Sequence, residues 1–208
     1  MKKPHNLGVL LYAHIVSLMF RPSYYPLVGF AVMFTTTYLS LLPWMFKLWI
    51  LAVVYLFTVL LTWLGVFLYR KMHGWSPAEF RHRRRRFVPY LLHIASYMCC
   101  YSIIEHLHMP AFAGALIGAS LLLQCGCVII NIWWKISMHS AAAGAAIGAL
   151  VAYGLILDYN PTWWLCILLL LAGGVMSSRM VLRMHTLAQV LAGCGLGILC
   201  GFVGVIFS

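Results

Sequence analysis

The chain has 208 residues, 64% of them hydrophobic and 8% charged, and a mean hydropathy of +0.96. Soluble domains carry about 25% charged residues, so this composition excludes an ordinary soluble fold and indicates an all-α, polytopic transmembrane helical bundle of about six to seven spans, and the lack of apolar/polar alternation argues against a β-barrel. The net charge of +11 comes from fourteen Lys or Arg against three acids, Glu79, Glu105 and Asp158; these bases lie beside apolar runs, which argues against nucleic acid as a partner and for anionic lipid headgroups or a phosphorylated substrate.

Lys2 and Lys3 precede an apolar run with no small-residue cleavage site, and Arg21 and Pro22 interrupt it, so no cleavable signal peptide is expected. Residues 7 to 20 would extend only about 20 Å as a helix, against a hydrocarbon core of roughly 30 Å. They are expected to lie in the interface or re-enter. A first span is predicted over 26–42, between Pro26 and Pro43, and a second from Lys47 to Leu68, closed by Tyr69, Arg70 and Lys71. The polar segment KMHGWSPAEFRHRRRRFVP follows. A third span then runs from Phe87 to about His108, and Pro110 turns the chain into a fourth over 111–132. That span ends at Trp133, Trp134 and Lys135, where interfacial aromatics belong. The fifth starts near His139 and stops before Asp158, the sixth covers Trp163 to Val175, and the seventh runs from Leu187 to the end. Cys99, Cys100, Cys125, Cys127, Cys166, Cys194 and Cys200 contain no CxxC pair and read as small apolar packing residues.

Counting crossings brings separated polar stretches to one membrane face. Two spans separate the basic segment from Lys135, and two more separate His139 from Arg179. Arg81, Arg83, Arg84, Arg85 and Arg86 form the first station. An interfacial cluster touching acidic headgroups accounts for most of them, although a guanidinium fork also matches phosphate oxygens. The second station is WWKISMHSAAAGAAIG, with His139 at a helix start, where unpaired N–H groups favour an anion. The third is SSRMVLRMHTLAQ, with Arg179 and His185 ahead of a helix that repeats Gly193, Gly197 and Gly201, a packing stripe. Intramembrane charges and imidazoles are costly without a use. Two histidines with several arginines and no Ser elbow suggest phosphoryl transfer. A neutral imidazole attacks phosphorus, arginines neutralise the non-bridging oxygens, and the second His protonates the leaving oxygen. That chemistry requires no metal and no other cofactor.

These residues resemble the membrane-bound type 2 phosphatidate phosphatase (PAP2) superfamily, in particular a divergent bacterial branch. Its motifs are an approximate K-x6-R-P, a P-S-G-H and an S-R-x5-H-x3-D. The third reads here as Ser178, Arg179, His185 and Gln189, with Gln in place of Asp. The second keeps Ser137 and His139, with Ile136 and Met138 in place of Pro and Gly, preceded by Lys135. Arg86 and Pro89 look like an R-x-x-P ending of the first, with Arg83 nearby and no Lys at the usual distance. The resemblance implies His185 as nucleophile and His139 as general acid. It implies a phosphate clamp of Arg179, Arg86, Arg83 and Lys135, with Gln189, Ser137 and Ser178 in support. An amide at 189 can hold an imidazole tautomer but stabilises imidazolium less than a carboxylate does; Glu79 would supply the carboxylate if the polar loop folds back. Residues 79–208 would form the PAP2-like catalytic core, and residues 1–78 an interfacial helix and membrane-anchoring spans.

The expected activity is a phosphatase acting on the phosphomonoester or pyrophosphate of a membrane lipid through a phosphohistidine. The alternatives are a catalytically silent anionic-lipid-binding member, suggested by Gln189 and the weak first motif, and a lipid phosphotransferase. A metal or transport site at Glu105 and His108 would need several more carboxylates than the chain has. The expected location is the bacterial inner membrane. Thirteen of the fourteen bases lie on the motif side, all but Lys47, which places that side in the cytoplasm by the positive-inside rule. The family resemblance points to the outer face, so the two arguments leave the side open.

Overall fold

The structure, a computed structural model, describes residues 7–74 and 87–207. All its regular structure is helical: α1 (Leu7–Met19), α2 (Tyr25–Thr36), α3 (Trp44–Tyr55), α4 (Thr62–Met72), α5 (Phe87–His106), α6 (Ala111–Trp133), α7 (Met138–Ile156), α8 (Thr162–Val181) and α9 (Leu187–Ile206). Seven stretches are long and apolar enough to cross a bilayer: Leu7–Thr36, Trp44–Met72 and each of the helices α5 to α9. Leu169, Leu170, Leu191 and Leu199 are exposed, as expected of side chains that lipid would cover. The chain is an integral membrane protein.

The first two stretches are each built from two helices. Between α1 and α2 the chain breaks at Phe20 and Arg21 and makes a 3₁₀ turn over Pro22–Tyr24. Pro22 and Pro26 stand in the first turns of the elements they open, where a missing N–H costs nothing. Helix α2 stops at Thr36, short of the expected residue 42. Thr37 leaves the helical conformation, and its hydroxyl accepts from Leu39 N to open the short 3₁₀ turn Tyr38–Leu41. Helices α3 and α4 are continuous through a π-helical turn, Leu56–Leu61. Widened turns release carbonyls from the i−4 ladder. One of these, from Phe57, accepts from Ser96 Oγ of α5.

At the end of the bundle away from the motifs, Phe30, Ile50, Val54, Tyr97, Ile104 and Ile117 form a buried cluster that joins α2, α3, α5 and α6. Near the motifs, Tyr90 at the start of α5 is buried with Ile136, Cys127 and Cys200. The cysteines are divided: Cys100, Cys127 and Cys200 are buried, whereas Cys99, Cys125 and Cys166 face outward. The reading of all seven as packing residues therefore holds only for the inward-facing ones.

Helices α7 and α9 meet backbone to backbone. A Cβ on Gly197 would lie 2.0 Å from the Ala141 carbonyl oxygen, one on Gly144 2.2 Å from that of Cys194, and one on Gly201 2.2 Å from that of Ala145. Partner numbers rise together along both helices, so the pair is parallel, and the N-termini of α7 and α9 open at the same end. Small residues every four positions permit this approach.

Helix α8 brings the chain back to that end and continues past the expected limit at Val175, through Ser178 and Arg179 to Val181. Arginine and serine read as a span end only if they must reach water, but both find acceptors inside the protein. Ser178 Oγ donates to the Gly174 carbonyl at 2.8 Å. The helix then closes in a Schellman arrangement, with Met184 N donating to Arg179 O (3.1 Å) and Arg183 N to Met180 O (2.9 Å). Arg183 at its centre has φ of 51°, a left-handed conformation that costs an L side chain about 1 kcal/mol or more. Exposed Arg183 should therefore be replaceable by Gly with a gain of about 0.5–1 kcal/mol, read as a higher unfolding midpoint. A loss of stability would show that its side chain holds the turn.

Candidate functional site

Three pieces of chain converge at the shared N-terminal end of α7 and α9. The first is the strap from Trp134 to Ser137, extended at Trp134 and anchored by the fully buried Ile136. Ser137 caps α7: its Oγ accepts from Ser140 N (3.5 Å) and its carbonyl from Ser140 Oγ (3.0 Å). This cap sets His139 on the first turn. The second piece is the turn from Leu182 to Thr186, joined to the strap by Lys135 Nζ, which donates to the Met184 carbonyl at 2.8 Å. The third is the carboxyl end of α1.

His185, 9% exposed, is held by Gln189 through a distance of 3.1 Å between its Nδ1 and Gln189 Oε1. The same Oε1 accepts from the Thr186 backbone N–H at 3.3 Å, while Gln189 N donates to Thr186 Oγ1 at 3.4 Å, a reciprocal capping box at the start of α9. The backbone donor requires the carboxamide oxygen, not its nitrogen, at this point. The oxygen can only accept, so His185 Nδ1 must carry the hydrogen, and Nε2 carries the ring's lone pair. The neutral imidazole is therefore set in the tautomer that a carboxylate at 189 would impose.

Arg179, 8% exposed on the last turn of α8, donates from Nη1 to Ser17 Oγ at 2.7 Å. His139 Nε2 lies 3.3 Å from the Ser17 carbonyl oxygen. A carbonyl accepts, so this Nε2 bears a hydrogen directed outward from α7. Arg179, His185 and Arg21 all lie within electrostatic reach of the His139 ring. The structure thus brings together His139, Arg179 and His185, with Lys135, Ser137, Ser178 and Gln189 bracing the segments that carry them.

Arg83, Arg86 and the rest of the arginine run, together with Glu79, lie outside the described residues. Helix α5 nonetheless begins near the strap, with Tyr90 in the same buried cluster as Ile136. Glu105 and His108 are exposed at the opposite end of α5. Among the described residues no group of three or more His, Cys, Asp or Glu side chains could hold a metal ion.

Ser17 and Arg21 carry no signal that reading the chain could have weighted. A lone serine in AHIVSLMFRP looks like any hydroxyl in an apolar helix, satisfied by its own backbone. Only the packing of α1 on α8 gives it a role.

Residues 131–208 match the family model of the PAP2 superfamily. No curated protein and no solved structure matches the chain. The matched stretch starts in the last turn of α6 and takes in α7, α8 and α9. It therefore contains the second and third motif positions and leaves Arg83 and Arg86 upstream. On this match, and on the helical membrane architecture around it, residues 131–208 are similar to the PAP2 superfamily.

Proposed function

We propose that the protein is a phosphatase that hydrolyses the phosphomonoester or pyrophosphate of a membrane lipid through a phosphohistidine on His185. The observation that carries this reading is the tautomer lock: Gln189 Oε1, oriented by the Thr186 N–H, fixes the hydrogen on His185 Nδ1. In the proposed reaction the Nε2 lone pair attacks phosphorus and the bond to the leaving oxygen breaks. Arg179 offsets charge on the non-bridging oxygens, with Lys135, Arg83 and Arg86 proposed as its partners. His139 delivers its Nε2 proton to the departing lipid oxygen and then takes a proton from the water that cleaves the N–P bond. Burial of His185 and Arg179 among apolar helices strengthens these interactions by excluding water.

The lock also weighs against a silent member. Gln189 replaces the positional role of an aspartate, and what it gives up is charge stabilisation of the imidazolium, a loss in rate and not in geometry. The lipid nature of the substrate is supported by the position of the site at the end of a membrane bundle, where a phosphate sits at the interface and its chain in the bilayer.

The test is phosphate release by the purified protein from vesicles or micelles containing phosphatidate, phosphatidylglycerophosphate, undecaprenyl pyrophosphate or lipid A. Release from at least one is expected. Absence of release from all would overturn the reading in favour of an anionic-lipid binder. The Gln189→Ala variant should lose about 10²-fold or more in kcat with little change in KM, because the wrong tautomer becomes accessible. A variant as fast as wild type would remove Gln189 from the mechanism.

A further inference from the structure

We propose that the carboxyl end of α1 is a built-in competitor for the phosphate position, so that substrate enters by displacing Ser17. This rests on the reading of Arg179 and His139 as phosphate-binding groups. Both donate here to oxygens of the same residue, Arg179 to Ser17 Oγ at 2.7 Å and His139 to the Ser17 carbonyl at 3.3 Å. Those are the donors that would meet a phosphoryl group, and Ser17 presents them with two oxygens in its stead.

The end of a helix suits this role. The last carbonyls of α1 have no partner within the helix and form the negative end of its dipole. Val16 O is taken by Phe20 N at 3.0 Å, and the next carbonyl, that of Ser17, goes to His139. To Arg179 and His139 the end of α1 therefore resembles a weak anion, one that a real phosphate with full charges can outcompete.

The attachment of α1 is slight enough to be reversible. Ala13 is its only buried residue, and few buried contacts mean a low free energy of local opening. Its link to α2 breaks at Phe20 and Arg21, ahead of Pro22. Tyr25, by contrast, packs on Ala143, Ile147 and Ala172 and fixes the far side of the hinge to α7 and α8. The hinge residues Arg21, Ser23 and Tyr24 also line an open groove of about 450 Å³, whose other walls include Tyr55, Trp63 and His93. An apolar chain lying in that groove would touch the hinge directly. A phosphate joined to such a chain then has two means of shifting α1, whereas a free phosphate has only competition for Arg179 and His139. The device selects for phosphorylated lipids over soluble phosphate esters.

A site occupied by its own chain binds ligand with an affinity lowered by the open fraction. Orthovanadate binding to the purified full-length protein in detergent, followed by calorimetry, measures this without any need for turnover. The Ser17→Ala variant deletes one acceptor of Arg179 and keeps the fold of an exposed, apolar helix. It should bind vanadate about tenfold more tightly than wild type, the scale of one lost charge-assisted hydrogen bond. Its preference for a lipid phosphate over a short-chain soluble phosphomonoester, as a ratio of kcat/KM, should fall in proportion. Unchanged or weaker vanadate binding in Ser17→Ala, with wild-type binding intact, would overturn the competitor and make Ser17 a positioning residue for Arg179. No binding in either protein would remove the phosphate site itself and the inference with it.

Discussion

Phosphate release by the His185→Ala variant should fall by at least about 10³-fold, to the level of the buffer blank. The expectation follows from what His185 alone supplies. Arg179, Lys135 and the helix ends can hold a phosphate, and His139 carries a hydrogen toward the same place, but neither a guanidinium nor a protonated ring nitrogen can attack phosphorus. With the nucleophile gone, direct attack by water would have to proceed without a base placed to activate it. The fold should survive, since the hydrogen bond to Gln189 that the variant forfeits is worth about 1 kcal/mol. Vanadate should still bind within a few-fold of wild type, which separates a missing nucleophile from a collapsed site. Two further readouts are specific to the role. Wild type quenched during turnover should carry an acid-labile, alkali-stable phosphate that the variant lacks, and added imidazole should restore part of the rate by entering the space the ring vacated. A variant retaining a tenth of the wild-type rate would dismiss His185 as nucleophile.

The second large effect concerns stability. Gly197→Leu should destabilise the protein by at least about 3 kcal/mol and leave little monodisperse material on extraction. At this position even a Cβ would stand 2.0 Å from Ala141 O and 2.7 Å from Ala145 N. Both are backbone atoms of α7, so no rotamer change can relieve the clash and the helices must separate. Gly195→Leu is the matching control. Gly195 lies on the same helix with nothing within 4 Å of its Cβ position, and a leucine there faces lipid. It should be neutral or slightly stabilising, because leucine favours the helix by several tenths of a kcal/mol over glycine. Thermal unfolding of both in one detergent decides the matter. If the two behaved alike, the parallel α7–α9 contact would not be the framework of the site.

Much of this architecture can be read from the chain because a bilayer enforces it. Every backbone group must pair within its own segment, so span number and most ends follow from length, hydropathy and flanking prolines; the first does not, since the stretch long and apolar enough to cross runs over Leu7–Thr36 and takes in residues 7–20, expected to lie in the interface. The proximity of His139 to Arg179 follows from the same count, since an even number of crossings lies between their stretches. What was not legible depends on tertiary partners. Arg179 looks like the residue that stops a membrane helix, yet α8 runs through it because Ser17 accepts its hydrogen bond. Gln189 looks like a defect beside an expected aspartate, and its use emerges only from the capping box that orients its oxygen. The N-terminal helix, read as an anchor, touches the site through one serine whose sequence context resembles many others.

The interlocked backbones of α7 and α9 carry a consequence for motion. His139 and His185 stand at the heads of two helices that cannot slide or part without breaking contacts at Gly144, Gly148, Gly197 and Gly201, so the distance between them should change little when other parts of the bundle move. Amide hydrogen exchange should rank accordingly, slowest through α7 and α9 and fastest in α1, with added vanadate quickening α1 while leaving the helix pair unchanged. Adaptation to different lipid chains would then fall to the periphery, and the reacting pair would see the same geometry whatever the chain attached to the phosphate.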